Sequence, residues 1–134
     1  MPTQEAVFQN YARWEIEGQV DLSAAGAVLA IRGDGMTVVK NGTGLYDVTV
    51  KGSQGMKLVE ILFSDASVQD SALGTVKDAA IKSITQSTTG TTVDDITLTF
   101  RTVTAAFADV DEATNALTVS FQAVLRTRKM SNPL

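Results

Sequence analysis

The 134-residue chain has no histidine and no cysteine, only two prolines and a single tryptophan. Each shortage removes chemistry. Without histidine the side chain that most readily exchanges a proton near neutral pH is missing; without cysteine there is no thiolate nucleophile, no disulfide and no means of building most zinc sites. Neither an enzyme nor a cofactor is expected, and stability has to rest on packing and hydrogen bonding. The absence of cysteine leaves the redox compartment open. No apolar run approaches the roughly 20 residues that cross a bilayer, and Met1-Pro2-Thr3-Gln4-Glu5 lacks the basic start and apolar stretch of a signal peptide. A soluble chain with no membrane partner is expected. Basic residues are also in deficit, 11 Lys and Arg against 15 Asp and Glu, and the net charge of −4 disfavours nucleic acid.

What is there is enough for one core. With 44% apolar and 19% charged residues the composition is that of a globular domain rather than a disordered segment. Alternation supplies the elements. Trp14, Ile16, Val20 and Leu22 fall on one face of a segment whose other face is Glu15, Glu17, Gln19 and Asp21, the pattern of a half-buried strand. Ala27–Ile31 is a short apolar run, ended by the turn Arg32-Gly33-Asp34-Gly35. Asn41-Gly42-Thr43-Gly44 separates Met36–Lys40 from Leu45–Lys51, and an Asn-Gly between two β-rich segments predicts a hairpin with Tyr46, Val48 and Val50 facing inward. Leu58–Phe63 is apolar on both faces and is expected to be buried on both. Val68–Ile84 fits strand or helix, with strand favoured; Ser87–Asp95 reads as a polar loop. Ile96–Phe107 and Leu117–Leu125 alternate again and are expected to pair with each other across the acidic turn Asp109–Asn115. Seven or eight strands and no long helix predict an all-β fold, an antiparallel β-sandwich of jelly-roll-like or Ig-like type.

Residues 14–126 form this sandwich domain, flanked by an N-terminal arm, 1–13, and a C-terminal tail, 127–134. The arm carries Val7, Phe8 and Tyr11, and the tail region is basic through Arg126, Arg128 and Lys129; these six residues are the candidate partner contacts. The other motifs have ordinary explanations. Arg32-Gly33-Asp34 and Asn41-Gly42-Thr43, formally an adhesion tripeptide and a glycosylation sequon, are accounted for by turn geometry. Asp109, Asp111 and Glu112 offer oxygen ligands, but a twelve-residue calcium loop starting at Asp109 needs Gly at position 114 and Glu at 120, where Thr114 and Ser120 stand. A solvated turn is expected there and no metal site. No carboxylate pair is singled out for glycoside hydrolysis and no phosphate-binding loop occurs. Trp14, Tyr46, Phe63, Phe100, Phe107 and Phe121 are expected in the core.

The run from Val39 through Lys40, Asn41, Gly42, Thr43, Gly44, Leu45 and Tyr46 to Val50, together with the acidic turn Asp109–Asn115, the strand Ala116–Leu125 and the basic finish Arg126-Thr127-Arg128, resembles small virion proteins of tailed bacteriophages of the head-decoration or cement type. The resemblance covers about half of the chain and leaves Lys57–Asp95 out. It implies a β-sandwich on the outer surface of the virion capsid, made in the host cytoplasm, self-associated as a homotrimer and clamping adjoining subunits of the major capsid protein. The alternative is a tail-fibre or receptor-binding β-module that recognises a host surface, with Tyr11 and Trp14 as its candidate contacts.

Overall fold

The period-2 alternation of the sequence is realised as ten strands in a computed structural model that describes residues 11–68, 75–90, 92–112 and 116–129. They are β1 (Tyr11–Leu22), β2 (Val28–Arg32), β3 (Met36–Lys40), β4 (Leu45–Val50), β5 (Met56–Val68), β6 (Asp78–Thr85), β7 (Thr88–Thr89), β8 (Thr92–Val93), β9 (Ile96–Val103) and β10 (Leu117–Lys129). One four-stranded sheet runs β2-β1-β10-β5 and a second runs β3-β4-β9-β6, every pairing antiparallel; β7 and β8 form a small separate ribbon. The antiparallel β-sandwich expected from the sequence is thus the fold.

Each sheet turns one face inward because its apolar residues recur at every second position. Along β10, Leu117, Val119, Phe121, Ala123 and Leu125 are buried; Tyr46, Val48 and Val50 of β4 and Ile96, Leu98 and Phe100 of β9 meet them from the other sheet. An aromatic column ties the layers together: Tyr46 stacks on Phe100 at 5.0 Å between centroids, and Phe100 on Phe121 at 5.9 Å. The predicted hairpin is present, with Asn41 N–H donating to Leu45 O at 2.8 Å.

The expected pairing of the last two long strands does not occur. β9 lies between β4 and β6, so both its edges are occupied, while β10 lies in the opposite sheet between β1 and β5. Residues 104–116 connect them, far longer than a hairpin loop and long enough to cross a sandwich about 10 Å thick. Regular pairing also runs beyond the alternating segments at both ends of the chain: Tyr11 of β1 is opposite Arg128 of β10. Tyr11, Ala12 and Arg13 are therefore strand residues rather than arm, and Thr127, Arg128 and Lys129 strand rather than tail. Within Val68–Ile84 the described residues from Asp78 onward are strand, and the loop Ser87–Asp95 contains the β7–β8 ribbon.

Candidate interaction surface

β5 is one of the two edge strands of its sheet and thirteen residues long. Its sequence, rich in β-branched and aromatic residues, favours a strand, but two register shifts against β10 interrupt it. Phe63 is opposite Val124 and Ile61 opposite Leu125, which leaves Leu62 unpaired; Glu60 is opposite Arg126 and Leu58 opposite Thr127, which leaves Val59 unpaired. These are β-bulges, which bend a strand and re-aim its side chains. The consequence reverses the expectation that this segment is buried on both faces: Val59, Ile61, Leu62 and Phe63 are 43–47% exposed. A run apolar on both faces has the same composition whether it is covered on both sides or on neither. Only its place at the sheet edge decides, and that place is not a local property of the sequence.

The start of this edge is closed by a side chain. The Gln86 amide donates to Met56 O at 2.7 Å and to Asp94 O at 3.0 Å, and its Oε1 accepts from Leu58 N–H at 2.8 Å, so one glutamine stands in for a neighbouring strand. Beneath it Ser53 accepts from Ile96 N–H and donates to Val50 O, both at 2.6 Å, which fixes the crossing from β4 to β5.

Of the residues expected to contact a partner, Arg126 is placed on this surface, with Nη1 donating to Glu60 Oε1 at 2.7 Å. Arg128 is exposed, with Tyr11 of β1 on one side and Lys57 of β5 on the other. Lys129 closes β10 opposite Met56. Val7 and Phe8 lie outside the described residues. Tyr11 and Trp14 are both half-buried, and Trp14 packs against the core and lines a shallow depression with Met36.

Of the acidic turn, the described residues 109–112 are tied into the opposite end of the sandwich by their carboxylates. Asp111 accepts from Lys40 Nζ at 2.6 Å and from Gly44 N–H at 2.8 Å. Partial burial acts to raise its carboxyl, but the Lys40 ammonium and the Gly44 amide outweigh this and hold it below the usual carboxylate range. Glu112 is buried and accepts from Val76 N–H at 3.1 Å, while Asp109 accepts from Arg101 Nε at 2.6 Å. The Tyr46 hydroxyl donates to Gly26 O at 2.7 Å, and burial, reinforced by the nearby Asp111 charge, pushes its pKa up. Among the described residues no three carboxylates converge as metal ligands. Phe107, expected in the core, is 55% exposed with φ +66°, stacked 4.8 Å from the Arg101 guanidinium. The connector leaves β9 at Val103, and the inward alternation ends there.

On the outer face of the β5 sheet, Glu17, Gln19, Arg32, Asp65, Ser67 and Gln122 line an open polar groove of about 520 Å³. Arg32 is held by a bidentate pair with Asp21, one contact of which measures 2.8 Å. Hydrogen bonds from Arg32 and Thr118 hold the Asp21 carboxyl below its ordinary range. No protein family, curated protein or solved structure matches the chain.

Proposed function

We propose that the chain is a non-catalytic structural protein that acts by contact with other protein subunits, attached to the outside of a tailed-phage capsid, where it braces neighbouring major-capsid subunits. The observation that carries this reading is the apolar strip Val59–Phe63 on an edge strand, since contiguous exposed apolar side chains on a small domain mark a contact surface. The ionisable groups with displaced pKa values support it further. Asp21 and Asp111 are occupied by Arg32 and Lys40 in pairs that hold strands and loops, and the Tyr46 hydroxyl is tied to Gly26 O. The capsid as the site of attachment rests on the resemblance of the hairpin and of the C-terminal strand to decoration proteins.

The test is reconstitution. Shells lacking the protein, incubated with it and sedimented, should carry it down and should then break at a higher temperature than bare shells. Failure to bind overturns the proposal. A second reading, a module that recognises a host-surface glycan, is favoured by the open polar groove, whose amide, hydroxyl and carboxylate groups match the hydrogen-bonding of sugars. Particles without the protein that remain equally robust but no longer adsorb to cells would establish that reading instead.

A further inference from the structure

Edge strands are usually protected by charge, proline or bulges that turn the edge away. β5 has its bulges in the centre, and its side-chain cover and free charges only towards its ends. Gln86 covers Met56 and Leu58, and Lys57 and Asp65 are exposed charges on either side of the apolar strip. In the centre the bulges push out Val59 and Leu62 rather than a polar residue, and the one charge there, Glu60, is already paired with Arg126. Neither Lys57 nor Asp65 has an ion-pair partner among the described residues. The strip thus has an apolar middle, a cation at one end and an anion at the other.

A surface of this kind is complementary to itself reversed. With a two-fold axis through Ile61, the sequence positions of two antiparallel copies match as Ile61 with Ile61, Val59 with Phe63, and Lys57 with Asp65, the last pair occurring twice, while Leu62 meets Glu60, whose charge Arg126 already holds. Moving the axis one residue either way loses both ion pairs: centred on Glu60 it sets Lys57 against Phe63, and centred on Leu62 it sets Asp65 against Val59. A parallel arrangement brings Lys57 to Lys57 and Asp65 to Asp65. Two-fold closure uses the same patch on both subunits and leaves no copy of it open, as an isologous dimer does. We propose that β5 is the interface with a second copy of this chain, the two strips lying antiparallel about Ile61. Because the bulges interrupt the ladder, the contact is made chiefly by side-chain packing. The inference rests on the reading of the chain as a contact-making structural protein and identifies one of its partners.

Sedimentation equilibrium of the full chain over a range of concentrations tests it. The wild type should show a dimer mass, and Leu62→Ser with Phe63→Ser a monomer. Lys57→Asp and Asp65→Lys should each weaken the dimer about tenfold, by placing like charges opposite each other at both ends, and the double exchange should restore it. All four positions are exposed, so circular dichroism should show the same β fold throughout. A wild-type monomer, a trimer mass, or a double exchange as weak as the single ones overturns the proposal. A monomer that still binds shells sinks the dimer and leaves the capsid reading standing; a dimer that ignores shells does the reverse.

Discussion

Asp111 fastens the loop end of the sandwich because it accepts from a side chain of β3 and from the backbone between β3 and β4 at once. Its depressed carboxyl pKa makes this a pH-dependent support. A group whose folded pKa lies below its unfolded one contributes fully above the ordinary carboxylate value of about 4, and that contribution is lost as pH falls through the folded value. Asp111→Asn should therefore unfold at lower denaturant than the wild type at pH 7, and the gap should narrow as both are titrated toward pH 2. A constant gap would assign the effect to packing. Gly44 makes the second demand at this end: its φ is +66°, and a Cβ would lie 2.6 Å from Val110 N and 2.8 Å from Thr102 O, both rigid backbone. Gly44→Ala should cost at least about 2 kcal/mol in urea unfolding. The two phenylalanines Phe100 and Phe107 separate in the same assay. Phe100→Ala empties the aromatic column and should cost about 3–5 kcal/mol. Phe107→Gly gives up a stacking contact worth about 0.5–1 kcal/mol but relieves a left-handed backbone costing about 1–2 kcal/mol, so its stability should stay near that of the wild type.

At the scale of elements, one glutamine and two bulges define β5. Gln86→Leu leaves Leu58 N–H and Met56 O without their partner and should cost about 1–3 kcal/mol. A melting temperature unchanged by this substitution would show that water replaces the amide fully. Much of this level was legible in the sequence, wherever a single strand states its own pattern. The faces of β1, β4 and β10 follow from alternation, and the β3–β4 hairpin from Asn41-Gly42. The candidate surface was legible only in part. Arg126 sits on it and Arg128 beside it, yet the apolar residues that make it a surface were assigned to the core. Partner choice is what no strand states about itself. β10 pairs with a strand about a hundred residues earlier rather than with its predecessor, and from this follow the position of β5 at the edge, the exposure of Phe63 and the crossing loop that displays Phe107. The engagement of Asp109, Asp111 and Glu112 was illegible for the same reason, because Lys40, Gly44, Val76 and Arg101 reach them only across the fold.

The sandwich is closed by its first and last described strands, and this sets how it should fold. β1 and β10 pair residues 11–22 with 117–128, so one of the longest ladders can form only after the intervening chain has been gathered. Sandwiches dominated by such distant contacts fold in milliseconds to seconds. The two prolines stand at positions 2 and 133, and none of the described strands contains one. A prolyl-isomerisation phase of tens of seconds is therefore not expected. The sheets should not fold separately either, since the chain changes sheet between β2 and β3, β4 and β5, β5 and β6, and β9 and β10, and the Phe100–Phe121 stack joins them at the centre. Stopped-flow refolding from guanidinium at low protein concentration should show one exponential phase, with the same rate by tryptophan fluorescence and by far-ultraviolet circular dichroism. At higher concentration a second, bimolecular phase should appear as β5 meets its counterpart, and it should vanish in Leu62→Ser with Phe63→Ser. A slow phase that ignores both concentration and those substitutions would point to one sheet forming ahead of the other, and the picture of a single cooperative sandwich would have to be given up.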